Sequence, residues 1–96
     1  MFYEWNAAKA RDNFRKHGLT FDEAASVFLD PLALTFADPF HSSEERREIS
    51  IGYSKRHRVV FVSQCRRGNR VRIISARKAT NGERRQYEEG FNKEIE

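Results

Sequence analysis

The sequence predicts an α+β fold: an antiparallel β-sheet with helices packed on one face, in the order β-α-α-β-β-β-β-α, as one domain over residues 1–96. Three observations predict it. Two short helical stretches near the N-terminus each open on a capping residue. Three strand runs lie between Arg47 and Ala76, the first alternating at period two, across connections short enough for hairpins. A capping box then follows the last run directly.

Phe2-Tyr3-Glu4-Trp5 is a short aromatic strand. Asn6 caps a helix that ends at Lys16-His17, with Gly18 as its stop. Ala7, Ala10 and Phe14 give this helix an inner stripe, and Lys9, Asn13 and Lys16 share another face. Thr20 and Glu23 form a capping box, with Leu19 placed to staple onto Ala24. The second helix packs through Phe21, Ala24, Val27 and Phe28 and stops at Asp30, because Pro31 disfavours helical geometry before it. Residues Leu32 to Phe36 form the second strand, and Asp38 to Glu45 an exposed loop. The next three strands run from Arg47 to Ser54, Arg58 to Gln64 (the most apolar, hence central) and Arg70 to Ala76. Thr80-Asn81-Gly82-Glu83 opens a last helix carrying Tyr87 and Phe91.

Net charge is +4, but its distribution says more: from Arg56 to Lys78 the chain is dense in arginine and contains no acid. Such a region suits a polyanion or an acidic protein. Hairpin geometry gathers Lys55, Arg56, His57, Arg58, Arg77 and Lys78 at one end of the sheet, and Arg46, Arg47, Arg66, Arg67 and Arg70 at the other. Period-two alternation puts Arg70, Arg72 and Ile74 on one face. Lys16, Lys55, Arg56, Arg70 and Lys78 are the candidate RNA contacts. Cys65, the only cysteine, reads as a buried thiol and permits no internal disulfide. No apolar run reaches membrane-span length and no signal peptide opens the chain, so a cytoplasmic protein without membrane contact is expected.

The dispersed His17, His41 and His57 and the lack of HExxH or Cys/His spacing predict no metal site and no cofactor. Neither a Gly-rich phosphate loop nor a Gly-x-Ser-x-Gly elbow is present. Metal-free RNA cleavage by the 2′-hydroxyl needs a base, cations for the charge growing on phosphorus oxygens, and an acid for the leaving oxygen. Arg58, Arg72 and Arg77 can supply the cations, and His17, Glu45, Glu48 or Tyr87 the proton transfer. Plainer roles compete: His17 as a charge at a helix C-terminus, Tyr87 as a core residue, Glu45 and Glu48 as partners of neighbouring arginines, Glu83 as a capping acid, Trp5 as core.

At these residues the chain resembles the BrnT family of type II toxins, partners of BrnA antitoxins. The resemblance runs through Trp5-Asn6, Lys9, Asn13, Lys16-His17-Gly18, Phe21, Glu23-Ala24, Val27-Phe28, Asp30, Glu45, Arg47, Ile51-Gly52 and Arg58. It continues through Arg72-Ile73-Ile74-Ser75-Ala76-Arg77-Lys78-Ala79, Glu83 and Tyr87. Two positions depart from the pattern: Asn6 replaces the usual Asp after the tryptophan, and His57 the usual Gly before Arg58. The resemblance implies a RelE-like ribonuclease fold, RNA cleavage that arrests translation, and neutralisation by a BrnA-like ribbon-helix-helix antitoxin through which alone operator DNA is bound. It implies functional roles for His17, Glu45, Arg47, Arg58, Arg72, Arg77 and Tyr87. The competing expectation is a non-catalytic basic module that docks an acidic protein or operator DNA.

Overall fold

The computed structural model describes residues 2–40 and 46–95, with side chains described as far as Gly90. Its elements are β1 (Phe2–Glu4), α1 (Ala7–His17), α2 (Phe21–Ser26) continued by a 3₁₀ turn at Val27–Leu29, β2 (Leu34–Ala37), β3 (Arg47–Tyr53), β4 (Val59–Arg67), β5 (Arg70–Lys78) and α3 (Asn81–Ile95). The expected class and element order are found. The segment 41–45 of the expected loop, Glu45 included, lies outside the described residues.

The helix ends follow local chemistry. The Asn6 side chain accepts from the Lys9 N–H at 3.0 Å, and Gly18 closes α1 at φ 66°, a left-handed geometry that costs a residue without a Cβ little. Thr20 accepts from the Glu23 N–H at 3.0 Å. The Thr80–Glu83 box is complete, with bonds of 2.8 and 3.2 Å running in both directions.

The strands form one sheet in the order β1-β5-β4-β3-β2, so β4 is central as its apolar sequence predicts. Leu19, Phe21, Ala24 and Val27 pack against Val60, Val62, Ile73 and Ala76, and this core lies on the face covered by α1 and α2. Gly52 makes the fit possible: a Cβ there would stand 2.8 Å from Val27 Cγ1 and 2.9 Å from the Ala33 Cβ.

Two details differ from the sequence reading. First, β1 pairs with β5 in parallel, Phe2 opposite Arg70 and Glu4 opposite Arg72, so the sheet is mixed. No hairpin joins these strands, and nothing local fixes their relative direction. Second, α3 does not share the face of α1 and α2. Its Gly90 lies against Leu34, and its Glu83 binds Arg77. Leu34 pairs with Ile51, Ile51 with Phe61 and Phe61 with Arg77, a row that alternates with the Gly52–Val60 core row. Ile51 and Phe61 are apolar, which gives this second face something for a helix to cover.

The expected inner stripe of α1 also shifts. Phe14 is 54% exposed, whereas Asn13 is 6% exposed. The Asn13 carboxamide accepts from the Ala76 N–H at 3.0 Å and donates to the carbonyls of Ala76 at 2.8 Å and Leu19 at 3.0 Å. It stands in for a strand along β5, because β1 reaches only as far as Arg72. Asn13→Ala leaves buried backbone groups without partners and is expected to cost about 2–4 kcal/mol. The check is the urea midpoint, with an unchanged slope; Lys9→Ala on the exposed face should stay within about 0.5 kcal/mol.

Candidate functional site

The register of β5 decides where the arginines point. Ser63 pairs with Ser75, yet Gln64 pairs with Ile73, so Ile74 is an extra residue, a β-bulge. Without it, Arg72 and Arg77 would face opposite sides. With it, Arg72, Ser75 and Arg77 sit opposite Cys65, Ser63 and Phe61, all on the face away from α1 and α2. The expected grouping of Arg72 with Ile74 is broken by this bulge. Arg47 pairs with Cys65 from the other side, so Glu4, Arg72, Cys65 and Arg47 form one row across four strands.

Arg72 is about one-third exposed, and its Nη1 lies 4.0 Å from Glu4 Oε2. Glu4 was not singled out in the sequence as a site residue, because only the parallel pairing of β1 brings it to Arg72. Arg77 is held more firmly. Its Nη1 and Nη2 donate to Glu83 at 2.7 and 3.0 Å, Nη1 also reaches the Lys78 carbonyl at 3.3 Å, and Cζ stands 4.0 Å above the Phe61 ring. The Nε proton and one Nη2 proton are not used by these bonds. Bonding to Arg77 holds the Glu83 carboxyl below the usual carboxylate range, against its burial. Glu48 pairs with Arg66 at 3.1 Å. Cys65 is 1% exposed, as a buried thiol should be.

Other candidates lie elsewhere. Arg58 is on the helical side of the sheet, where Nε and Nη2 clamp Glu23 at 2.7 and 2.6 Å and Nη2 touches the Gly18 carbonyl at 3.4 Å. Glu23 is 1% exposed and also accepts from Ser54 at 2.7 Å. The Arg58 bond holds its carboxyl below the ordinary range although burial opposes this. His17 and Lys16 are exposed at the end of α1, beside that Gly18 carbonyl. Lys55 binds Asp22, and Arg56, Arg70 and Lys78 are exposed. The Tyr87 hydroxyl donates to Asp30 Oδ2 at 2.7 Å, the same oxygen that accepts from the Tyr53 N–H at 2.8 Å. Burial and this bond push the Tyr87 phenol well up. Burial pushes Asp30 up, but the bonds from Tyr53, Tyr87 and Leu32 outweigh it and hold the carboxyl low. Trp5, expected in the core, is 38% exposed and meets Phe21 edge-on at 6.0 Å.

The structure thus places Arg47, Arg72 and Arg77 on one face, leaves Arg58 and His17 on the helical side, and ties Tyr87, one turn after Glu83 in α3, to Asp30. Among the described residues, no three His, Cys, Asp or Glu side chains converge as metal ligands. None of the described helices is long and apolar enough to cross a membrane.

The family model described as "Ribonuclease toxin, BrnT, of type II toxin-antitoxin system" matches residues 5–83. This chain belongs to the BrnT family. Among solved structures, the chain is similar to the 1.1 Å crystal structure of the Brucella abortus ribonuclease toxin BrnT. The likeness has a TM-score of 0.65 at 22% identity, over 84% of this chain and 100% of that one, and it shows the shared fold. A comparison with curated proteins gives no match. The BrnT match ends at Glu83, so it takes in both the bulged strand and the acid that holds Arg77.

Three carboxylates bonded within the fold set how stability responds to acid. Glu23, Asp30 and Glu83 all have lowered folded values. On acidification the unfolded chain takes up protons first, near pH 4, while the folded carboxyls resist. Stability is therefore full above about pH 5 and lost as pH falls through the folded values. Glu23→Gln should flatten that loss in urea titrations between about pH 5 and pH 2. Arg58→Met, which strands the buried Glu23 charge, should cost about 3 kcal/mol or more at pH 7, and clearly less in the Glu23→Gln background.

Proposed function

We propose that this BrnT-family protein is a cytoplasmic endoribonuclease that cuts RNA without a metal, through attack of a 2′-hydroxyl on the adjacent phosphate. The observation that carries the reading is the bulge at Ile74, which aligns Arg72 and Arg77 on the face that also holds Arg47. Guanidiniums on one face suit the charge that builds on the phosphorus oxygens as the 2′-oxygen bonds to phosphorus and the 5′-oxygen leaves. The products would be a 2′,3′-cyclic phosphate and a 5′-hydroxyl.

We assign Arg72 and Arg77 to the phosphate, with Arg47 beside them. A carboxylate takes the 2′-proton, and solvent water protonates the leaving 5′-oxygen. Glu4 stands nearest Arg72 among the described acids, and Glu45, two residues before Arg47 in the chain, is the competing assignment. Arg58 and Tyr87 are assigned to positioning, since each is bonded to a carboxylate within the scaffold. Lys16, Lys55, Arg56, Arg70 and Lys78 are assigned exposed contacts with the strand, and His17 lies beside Lys16. The inhibitor is taken to be a BrnA-like ribbon-helix-helix antitoxin that covers the arginine face and itself carries the operator-DNA contacts.

Arg72→Ala should reduce cleavage of single-stranded RNA at least about 100-fold, with the unfolding midpoint little changed. Chelators should have no effect, and end analysis should find the cyclic phosphate. The log of RNA affinity should fall linearly with log salt. Undiminished cleavage by folded Arg72→Ala would retire the active-site assignment. Tight binding with no scission by antitoxin-free wild-type protein would instead make the domain a binding module. Glu4→Gln and Glu45→Gln separate the two candidate bases: the true one removes the acidic limb of the pH–rate profile.

A further inference from the structure

The end of the sheet farthest from the Gly68 turn contains a second feature. A groove of about 230 Å³ is lined there by Tyr53 and His57 from the β3–β4 connection, Arg58, and Lys78 and Arg84 from β5 and α3. No acid lines it. The Arg58 charge is offset by Glu23, but among the described residues Lys78 and Arg84 have no carboxylate partner. The volume is below the roughly 300–1,000 Å³ typical of pockets that enclose a whole small molecule, so an occupant would extend beyond it.

The backbone here is unusual. Among the described residues, His57 alone combines a side chain with positive φ, at 62°, where glycine would sit without steric cost. This geometry carries the imidazole to 6.0 Å from the Tyr53 ring, at an interplanar angle of 54°. Tyr53 is itself 45% exposed. An exposed aromatic pair beside unpaired cations has the makings of a single-strand site: π-faces for a base and charge for its phosphate. Tyr53 shares the face of Ile51 and Phe61, and Arg84 directly follows Glu83, the partner of Arg77, so the groove adjoins the arginine face.

We propose that Tyr53, His57, Lys78 and Arg84 form a nucleotide subsite for single-stranded RNA, the base lying against Tyr53 and His57 and its phosphate against Lys78 and Arg84. This rests on the ribonuclease reading above. It adds a contact that positions a nucleotide flanking the cut, outside the arginine row. The left-handed His57 is retained for its ring rather than for the turn.

The test compares two 12-nucleotide probes by fluorescence anisotropy: a 2′-O-methyl RNA, which cannot be cut, and an abasic strand with the same backbone. His57→Gly, which also relieves the backbone, and Tyr53→Ala should each weaken binding of the RNA probe at least about fivefold. Both should leave the abasic probe within about twofold. Arg84→Ala should weaken both probes. Thermal unfolding checks that each variant is folded, and His57→Gly should melt no lower than wild type. Unchanged RNA affinity in folded His57→Gly and Tyr53→Ala overturns the subsite, and is also the result expected if the groove faces a protein partner. An equal loss on both probes overturns the stacking role. Cleavage of unmodified RNA by the wild type is scored separately. Scission with His57-insensitive binding defeats the subsite alone, whereas His57-sensitive binding without scission supports the subsite and defeats the nuclease.

Discussion

The carboxamide of Asn13 holds the strand on which the rest of the molecule depends. It bonds both backbone groups of Ala76, two residues beyond the bulged Ile74. A bulge adds a residue and loosens the ladder around it. Here the N-terminal half of β5 is pinned by β1 and the C-terminal half by Asn13, with β4 along the other edge throughout. The distortion that places Arg72 and Arg77 on one side is thus braced from both ends. The buried side-chain amide closes the stretch of edge that β1, three residues long, does not reach.

Similar ion pairs reach different ends in this protein. Glu23 is fully buried on the helical side, so Arg58 becomes part of the scaffold that joins α2 to the sheet. Glu83 belongs to a helix start on the opposite face and holds Arg77 flat on Phe61. Arg77 thereby loses rotamer freedom but keeps donors directed away from its partner. A guanidinium ordered in advance loses less entropy when an anion arrives. The modest net charge of the chain conceals this division, since it counts the structural and the outward-facing cations alike.

Much of the fold was readable because its signals are local. Asn6, Gly18, Thr20 and the Thr80–Glu83 box set helix limits within a few residues of themselves, and the alternation from Arg47 onward set the hairpins. The apolar run at Val59–Val62 marked the central strand. What escaped is non-local or breaks a period. The direction of β1 depends on a partner nearly seventy residues away along the chain. The Ile74 bulge has no local sign in a run of Arg, Val, Ile, Ser and Ala, and it reverses the facing of every residue on one side of it. Asn13 looked like a surface residue because amides usually are. Glu4 gained interest only when its strand found Arg72. The arginines themselves stood out at once; the pairing of Arg58 with Glu23 did not, because it joins residues from different elements.

Why the second face stays partly open follows from charge. A helix can cover a sheet face only if it leaves no buried cation without a partner, since an unpaired buried charge is costly. α3 covers the face where Leu34 and Ile51 offer apolar surface, and at Arg77 it brings its own carboxylate, Glu83. At Arg72 the nearby acid is Glu4, from the adjacent strand and only at the 4.0 Å limit, so Arg72 is not neutralised in the same way. A ligand that settles over Arg72 is therefore favoured when it brings negative charge with it. Phosphates do so at regular intervals along RNA, and an inhibitory protein would need carboxylates at comparable positions. On the function proposed above, substrate and inhibitor compete for the same guanidiniums without any change of fold.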